Sequence, residues 1–593
     1  MLSRNTQDLD YGRLVRAARK LETDPGHTKR RIALLGDAAT QFFVPLLRTL
    51  FYENGVTGEI YEGNFDALDL EILNPVSALY RFKPDVVILL NCTQSLRAKY
   101  YARAGSGESF ATDTVHHMID AWDIIHRHSP ASVIQCNFAA PEERFFGNYD
   151  QSVGGALSSV IQTLNQSLAA EARTRRHVFI ADIAHLAASV GTRNWYDERH
   201  WLASKMFCAP DCLPLAAQNF VEMALIAIGR VVKCLVLDLD NTLWGGVVGD
   251  DGPEGIEIGA HGDGESFYNF QCYLRELKRR GLILAVCSKN DHAVAIRPFR
   301  ENPEMALREE DVAVFAINWD NKADNIRTIR DILDIGLDSM VFLDDNPFER
   351  NLVREFVPEV IVPELPEDPA DYVRYLSALN LFEANSFSAE DAARVDQYRQ
   401  EAARRATASE FTNIGDYLKS LQMRIQVERF DAFHLSRIVQ LIQRSNQFNL
   451  TTQRHNQAQC EDMMEDHDGC IPWYARLSDK FGDHGLISIV IMRPEGETLR
   501  VTDWLMSCRV LGRGVEQYLM NRVFVEAQSH KCIRVTGKYL PTAKNALVRD
   551  FFEQFGFQKT ASGEDGQTEW ALDVSQYEPR TVFIESTPLV MVA

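Results

Sequence analysis

The sequence predicts a multidomain α/β protein. The chain has 593 residues, which is too many for one hydrophobic core. Apolar runs rich in Val, Ile and Leu alternate with helical stretches over the first two thirds of the chain, a pattern typical of parallel sheets. Several of these runs end in Asp, Ser or Gly. Because the carboxyl ends of parallel strands form the binding crevice of an open sheet, these strand ends are the candidate functional sites.

The composition narrows the possible functions. The formal net charge of -21 argues against binding to nucleic acid or to an anionic membrane surface, so we expect neither partner. No apolar run reaches the roughly 18 residues needed to span a bilayer. The first residues lack the apolar segment of a secretory signal, and we therefore expect a cytoplasmic protein. The cysteines show no spacing typical of a zinc site.

Residues 1–228 are predicted to form the first domain. Apolar strands at 31–36, 85–90, 131–136 and 177–181 alternate with helical segments. This alternation predicts a flavodoxin-like α/β domain with a parallel sheet.

The ends of this first domain resemble the SGNH (GDSL-type) hydrolase family. Gly36 and Asp37 follow the first strand, and Asp197 and His200 lie near the end of the domain. That family has its nucleophilic serine directly after the Gly-Asp pair, whereas this chain has Ala38. Without an oxygen at that position the Asp-His pair has no nucleophile to activate. We therefore expect a degenerate domain used for docking or architecture, with an active esterase as the alternative.

Residues 229–375 are predicted to form the second domain. An apolar run at 231–237 ends in Asp238, and Asp240 follows two residues later, so both carboxylates face one crevice. A second apolar strand ends at Ser288, and a third, at 339–343, runs into two further acids.

These residue types form a set suited to phosphoryl transfer. The set contains a carboxylate nucleophile, a proton donor, groups that hold phosphoryl oxygens, and acids for a divalent cation. Its members are Asp238, Asp240, Thr242, Ser288, Lys322, Asp344 and Asp345. In this order and spacing they resemble the haloacid dehalogenase (HAD) superfamily of aspartyl-phosphate phosphatases.

That resemblance implies a role for each catalytic residue. Asp238 would attack phosphorus and carry the phosphoryl group. Asp240 would protonate the leaving oxygen and then activate water. Thr242 and Ser288 would hold the transferring oxygens, and Lys322 would neutralise the charge of the nucleophile and the phosphate.

The resemblance also implies Mg²⁺ as cofactor. Its ligands would be Asp238, the backbone carbonyl of Asp240, and Asp344, with Asp345 behind them. The stretches between the motifs are too short for a cap domain, so we expect a capless Rossmannoid domain. An uncovered site would let a substrate carried on a protein exclude the water.

Residues 376–409 are predicted to be a linker with a bridging helix, and residues 410–593 a third domain of α+β type. A strand of the third domain is followed by a glycine-containing loop and a helix at 515–529. Successive backbone N–H groups at a helix start suit a phosphate. The arrangement resembles the acetyltransferase (GNAT) fold and implies that the loop binds phosphopantetheine through Arg509, Gly512, Arg513 and Gly514.

Cys508 directly precedes this loop. The positive charges of Arg509 and Arg513 and the helix N-terminus would favour its thiolate form. We predict a nucleophilic cysteine, with a buried structural cysteine as the alternative. His484 and Asp503 are the candidate bases.

The three-domain order resembles the FkbH-like family of polyketide biosynthesis. The motifs around Asp238 and Cys508 carry this resemblance, together with the stretch 445–452, which has no evident chemical role. The family implies transfer of a glyceryl unit from 1,3-bisphosphoglycerate to an acyl carrier protein, with loss of phosphate. The alternatives are a Mg²⁺-dependent phosphatase whose GNAT-like domain only recruits a carrier protein or CoA, a CoA-dependent N-acyltransferase fused to a phosphatase, and a non-enzymatic scaffold.

Overall fold

The chain forms two compact units, residues 1–395 and 396–593. The computed structural model describes residues 9–586 except 23, 104–105, 176, 385–399, 401–403, 405–410, 412, 446–447, 467–468, 508–509, 543–544 and 564–565. No helix within these described ranges is both long enough and apolar enough to cross a bilayer.

The first unit begins with a five-stranded parallel sheet of strand order β2-β1-β3-β4-β5. Its strands are β1 (Thr28–Gly36), β2 (Val56–Glu62), β3 (Val86–Leu90), β4 (Ser132–Cys136) and β5 (Val178–Ala181). This is the flavodoxin-like order, and it confirms the predicted α/β class. The prediction missed β2, because this edge strand has only one buried residue and lacks an apolar run.

Helices cover both faces of this sheet, as a parallel sheet requires. They are α1 (Tyr11–Ala18), α2 (Val44–Glu53), α3 (Leu68–Leu73), α4 (Ala78–Phe82), α5 (Thr93–Ala102), α6 (Gly107–His128), α7 (Leu157–Arg173), α8 (Ile183–Val190), α9 (Thr192–Trp195), α10 (Glu198–Ser204) and α11 (Leu213–Ala227). One core contains Phe43 and Phe220, and the other contains Trp122 and Leu164. Each fully buried side chain of this kind stabilises the fold by about 1.5–3 kcal/mol.

The second sheet of the first unit has four parallel strands in the order β8-β7-β6-β9. The strands are β6 (Cys234–Leu237), β7 (Ile283–Ser288), β8 (Val314–Ile317) and β9 (Met340–Leu343). The helices around it are α12 (Val248–Asp251), α13 (Asp263–Arg279), α14 (His292–Ala295), α15 (Arg297–Glu301), α16 (Lys322–Leu333), α17 (Pro347–Phe356) and α18 (Tyr372–Ala378). Residues 241–321, all described, contain β7, β8 and short helices besides α13, and they form no separate cap.

The register of these strands brings the predicted site residues to one edge. Leu237 of β6 is level with Val286 of β7 and with Leu343 of β9. The residues that follow therefore emerge side by side at the carboxyl edge of the sheet.

The described residues of the second unit form a nine-stranded mixed sheet, in the order β16-β17-β15-β14-β13-β12-β10-β18, with β11 paired to β14. The strands are β10 (Met423–Arg429), β11 (Phe448–Asn449), β12 (Ile471–Asp479), β13 (Gly482–Glu495), β14 (Thr498–Met506), β15 (Arg534–Tyr539), β16 (Gln558–Ser562), β17 (Thr568–Asp573) and β18 (Ile584–Ser586). Its helices are α19 (Ile414–Ser420), α20 (Leu435–Arg444), α21 (Gln457–Glu465), α22 (Val515–Ser529) and α23 (Phe551–Gln554).

The sheet of the second unit opens beside the middle of β14. Strand β15 pairs with β14 only over Thr498–Val501, and β11 pairs with it only at Leu505 and Met506. Opposite β13 the register shifts, so that Thr502 is an extra residue between Val501 and Asp503. Such a bulge bends a strand and redirects its side chains.

Most of the predicted linker lies outside the described residues, including most of the stretch expected to form its bridging helix. The described stretch 376–384 contributes Leu379, Leu381 and Phe382 to the core of the second sheet. The predicted boundaries of the linker and of the three domains stay predictions. Short 3₁₀ segments occur at Gly147–Ser152, Pro210–Cys212, Glu309–Asp311, Leu337–Ser339, Pro369–Asp371, Ala546–Val548 and Val574–Gln576.

Candidate active site

Four predicted residues meet at the carboxyl edge of the second sheet. Asp238 follows β6, Asp344 follows β9, Ser288 ends β7, and Lys322 begins α16. The backbone N–H of Asp238 donates to the carbonyl of Leu343 at 2.9 Å, which joins the ends of two strands. All four side chains are almost fully buried.

Lys322 binds two of the carboxylates. Its Nζ lies 2.9 Å from Oδ2 of Asp238 and 2.6 Å from Oδ2 of Asp344. Burial alone would lower the pKa of this lysine, but the negative charges of the two carboxylates outweigh burial and raise its pKa above the ordinary value. Lys322 is therefore charged, and it offsets part of the charge of the nucleophile predicted at Asp238.

The acids after β9 have raised pKa values. Burial, with a further contribution from the charge of Asp238, raises the pKa of Asp344 to about 7, although Lys322 opposes the shift. Burial and Asp238 also raise the pKa of Asp345. More negative charge is thus gathered here than the one lysine neutralises.

This excess of carboxylate oxygen fits a hard divalent cation. Oxygen atoms of Asp238, Asp344 and Asp345 lie within 4.8 Å of one another. Oδ1 of Asp238 is buried and has no hydrogen-bond partner among the described residues. A buried carboxylate oxygen without a partner is costly, and a cation with oxygen ligands such as Mg²⁺ would satisfy it.

Thr242 and Asp240 lie on the turn after β6. The hydroxyl of Thr242 is fully buried and accepts the backbone N–H of Asp345 at 3.2 Å. Oδ1 of Asp240 accepts Trp244 Nε1 at 2.9 Å and the backbone N–H of Val248 at 3.0 Å. The predicted proton donor is therefore held in one orientation by the turn that follows it.

Two residues that hold this site together were not predicted from the sequence. Asn290 Nδ2 donates to Oδ2 of Asp240 at 2.7 Å and lies 3.5 Å from Oγ of Ser288, so it links the proton donor to a predicted phosphate-binding hydroxyl. Arg350 Nη1 donates to the backbone carbonyls of Asp344 and Asp345 at 2.8 and 2.6 Å. Asn290 lies two residues after Ser288, as Asp240 lies two residues after Asp238, and this shared spacing could have predicted Asn290. No pattern in the sequence predicts the role of Arg350.

The loop predicted to bind phosphopantetheine is described from residue 510. Cys508 and Arg509 lie outside the described residues, so their predicted roles stay predictions. Gly512 and Gly514 have φ of +73° and +87°, a left-handed conformation that favours glycine, and Gly514 caps α22. Arg513 is buried, with Nη1 3.4 Å from Nε2 of His484.

His484 and Asp503, the two candidate bases, lie apart. Asp503 is level with Ile491, seven residues along β13 from His484, which corresponds to roughly 20 Å. The backbone N–H of Ser507 donates to the carbonyl of Ile487, which is three residues from His484 along β13. Because the two are so far apart, they cannot both serve a thiol at position 508.

His484 belongs to a buried charged cluster. Its Nε2 lies 3.0 Å from Oδ2 of Asp479, which also binds Arg404 at 2.6 Å. Burial and the charges of Arg404 and Arg513 lower the pKa of His484, although Asp479 opposes the shift. A neutral imidazole at this end of β14 is suited to accept a proton.

The first domain has the features expected of a degenerate hydrolase. Ala38 is buried and carries no oxygen, and Asp197 Oδ2 lies 2.9 Å from Nδ1 of His200. Asp37 accepts the backbone N–H of Cys92 at 2.8 Å, and burial raises the pKa of Asp37 to about 6. Asp37 is thus engaged in holding the ends of β1 and β3.

Comparisons with known proteins connect these observations. Residues 31–225 match the family model described as FkbH, N-terminal domain. A search of curated proteins found no match. The chain is similar to the N-terminal part of the protein BF1531 from Bacteroides fragilis, whose crystal structure contains a phosphatase domain complexed with Mg. The two are 40% identical, the match covers 64% of this chain and 99% of that one, and the TM-score is 0.59.

Acetyltransferases also match about a quarter of the chain. The ribosomal-protein-S18-alanine N-acetyltransferase from Escherichia coli is 11% identical and covers 26% of this chain and 98% of its own, with a TM-score of 0.21. The GNAT domain of S. lividans PAT is 18% identical and covers 25% and 89%, also with a TM-score of 0.21. Scores this low carry no argument about function. The BF1531 match, the family model and the site at Asp238 agree on a phosphatase-like enzyme, and the chain belongs to the FkbH-like family.

Proposed function

We propose that this enzyme transfers a glyceryl unit from 1,3-bisphosphoglycerate to the phosphopantetheine thiol of an acyl carrier protein and removes phosphate, as a step in polyketide biosynthesis. The buried cluster of Asp238, Lys322 and Asp344 is the observation that carries the proposal. A parallel sheet has no structural need for two carboxylates and a lysine at one strand edge, and phosphoryl transfer has such a need.

The phosphatase half of the reaction uses groups already held in place. Asp238 attacks the phosphorus of the ester, and the bond to the ester oxygen breaks. Asp240, oriented by Trp244 and Asn290, gives its proton to that oxygen and later takes one from the water that hydrolyses the aspartyl phosphate. Lys322 offsets the charge on the phosphoryl oxygens.

The metal would be Mg²⁺, held by Asp238, Asp344 and the backbone carbonyl of Asp240, with Asp345 behind them. When bound it supplies Lewis-acid stabilisation of the charged phosphoryl oxygens. The partnerless Oδ1 of Asp238 supports this placement.

The two phosphates of the substrate differ in reactivity, which explains why the enzyme would need two sites. The acyl phosphate is already activated, so a cysteine thiolate displaces its phosphate and forms a thioester. The pantetheine thiol then takes the acyl group and Cys508 recovers its thiol. The other phosphate is an unactivated monoester and needs the carboxylate site at Asp238.

Mass spectrometry of a carrier protein incubated with the enzyme, Mg²⁺ and 1,3-bisphosphoglycerate tests the proposal. A glyceryl adduct on the pantetheine arm is the expected product. Release of phosphate without an adduct would instead favour a Mg²⁺-dependent phosphatase whose C-terminal domain only recruits its partner.

Replacing the predicted thiol nucleophile should block carrier loading. We expect Cys508→Ala to slow loading about a hundredfold or more, because the carrier thiol then has no thioester to exchange with. The rate of adduct formation is followed by mass spectrometry. Cys272→Ala, which alters a half-buried cysteine of α13, should load normally. Normal loading by Cys508→Ala would mean direct attack by the pantetheine thiol.

Stabilisation by Mg²⁺ should increase with pH. Because the pKa of Asp344 is raised from 3.8 to about 7, its protonated form contributes stability that is full below pH 3.8 and lost as the pH rises through 7. Mg²⁺ binds the ionised form. We therefore expect the increase in Tm caused by Mg²⁺ to be larger at about pH 8 than at about pH 6. Asp344→Asn should abolish this difference, and an equal increase in Tm at both pH values would contradict the placement.

A further inference from the structure

The described residues of the stretch 445–452 make contacts that indicate a role for this stretch. Strand β11 runs antiparallel along the end of β14, and the backbone N–H of Leu450 donates to the carbonyl of Trp504. This pairing places the hydroxyl of Thr451 2.7 Å from Oδ1 of Asp503, to which it donates a hydrogen bond. The next residue, Thr452, has φ of +54°, which is uncommon for a β-branched residue. The chain therefore turns sharply just where it reaches Asp503.

A cavity of about 210 Å³ lies beside this contact, well above the roughly 15 Å³ that one water needs. It lies where β15 leaves β14 and where the bulge at Thr502 redirects Asp503. Three strands, the segment after β11, and α21 supply its lining, which comprises Thr451, Gln453, His455, Met463, Ile491, Arg493, Arg500, Val501, Thr502, Asp503 and Lys538.

Positive charge predominates at one end of this cavity. Arg493 of β13 and Arg500 of β14 are directly opposite each other in register, an arrangement that destabilises a sheet when nothing neutralises it. Lys538 of β15 also lines the cavity. Each of the three reaches an exposed or half-exposed carboxylate at 3.3 to 3.6 Å, and such screened surface pairs contribute little. An anionic group between the two arginines would relieve their repulsion.

Hydrogen-bonding groups occupy the other end. Asp503 is buried, and its two oxygens are held by Thr451 and by Nε2 of His455 at 3.3 Å. The hydroxyl of Thr502 and the amide of Gln453 add further polar groups, and Ile491 and Val501 form an apolar wall. This end suits hydroxyl groups on a short carbon chain.

We propose that this cavity is a binding site for a small hydroxylated organic phosphate. Its phosphate would lie between Arg493 and Arg500 near Lys538, and its hydroxyls would face the group of Asp503, Thr451 and His455. The inference rests on the proposed function in one respect. The substrate proposed above is a phosphorylated glyceryl compound, and such a compound is a small hydroxylated organic phosphate. The cavity belongs to the second unit, whereas the phosphatase site belongs to the first.

The test is the affinity of the full-length protein for D-3-phosphoglycerate, measured by calorimetry. Asp238→Asn is present in every sample so that the probe is not hydrolysed. We expect adding Arg493→Gln and Arg500→Gln to weaken the binding event in the cavity at least tenfold, because two charge-assisted contacts to phosphate are lost. Arg534→Gln, which removes an exposed arginine of β15 paired with Asp573, should leave binding unchanged.

Thermal unfolding gives a second measurement, in which binding at the phosphatase site contributes equally to parent and variant. The double arginine variant should unfold at a higher temperature without ligand, since the repulsion is gone, and D-3-phosphoglycerate should then raise its Tm less than it raises that of the parent. Equal affinity in parent and double variant would overturn the site, as would inorganic phosphate binding as tightly as D-3-phosphoglycerate.

The same variants separate this inference from the proposed function. With Asp238 intact, Arg493→Gln and Arg500→Gln should release phosphate from a simple aryl phosphate at the parental rate. Loss of binding in the cavity with unchanged phosphate release supports the cavity site alone. Unchanged affinity together with active phosphatase would refute the cavity and leave the proposed function standing.

Discussion

Asp238→Asn should lower the rate of phosphate-monoester hydrolysis about ten-thousandfold. An amide cannot attack phosphorus as a carboxylate does, and removal of a nucleophile costs several orders of magnitude in rate. The substitution preserves the shape of the side chain and its position after β6. Phosphate release from an aryl phosphate, and loss of the monoester phosphate from the carrier-bound adduct, both measured at saturating Mg²⁺, check this expectation.

The same variant should separate the two half-reactions. We expect the carrier protein still to become acylated, with an adduct heavier by one phosphate group than the product of the unaltered enzyme. Asp331→Asn, an identical change at the exposed end of α16, should leave both rates unaltered. Parental release of phosphate from the aryl phosphate by Asp238→Asn would exclude the carboxylate as nucleophile.

Lys322→Ala should combine a loss of stability with a loss of phosphate release. Lys322 is 3% exposed and binds two buried carboxylates, so its removal leaves their charges uncompensated. Breaking such a buried pair costs about 3–5 kcal/mol, and we expect a decrease of about 3 kcal/mol in the free energy of unfolding at pH 8 without divalent cation. Phosphate release should fall about a thousandfold.

The stability loss of Lys322→Ala should depend on pH. The positive charge of Lys322 restrains the upward shift of the Asp344 pKa, so the variant should raise that pKa above about 7. A carboxyl with a raised folded-state pKa loses stability as the pH rises from its unfolded value to its folded value. Urea unfolding should therefore show a smaller difference between variant and parent at about pH 5 than at about pH 8.

A matched variant controls for the loss of an ordinary lysine. Lys278 of α13 binds Asp311 at 2.8 Å, with both side chains partly exposed. Lys278→Ala should cost no more than about 1 kcal/mol and show little dependence on pH. An equal cost for the two lysine variants would mean that the cluster at Asp238 is solvated, which would contradict its geometry.

Local patterns predicted much of the fold and of the phosphatase site. An apolar run that ends in acids, at β6 and at β9, is sufficient to predict a buried strand and the edge where its site lies. Helix α22 was predicted with the bounds that the structure has, Val515–Ser529, because its glycine cap and its length are local features. Strand β2 was missed because an edge strand is half solvated and needs no apolar run.

Residues that act through distant contacts could not be predicted in this way. Arg350 holds the site together by donating to two backbone carbonyls. No residue type or spacing in the sequence predicts which side chain will donate to a carbonyl. Asp503 was one of two candidate bases for Cys508, and its partners, Thr451 and His455, come from the segment after β11. The register of the sheet places Asp503 level with Ile491, seven residues along β13 from His484. No pattern in the sequence predicts this separation.

The sequence by itself predicted the type of chemistry, because the predicted nucleophile, proton donor and metal-binding acids are residue types at recognisable strand ends, and the predicted lysine is at a helix start. Only the tertiary structure decided which charges meet, how much water is excluded from them, and that two arginines stand opposite each other over a cavity in the second unit. The physical reason is that chemical identity is local, whereas desolvation and electrostatic pairing depend on distances between residues far apart in the chain.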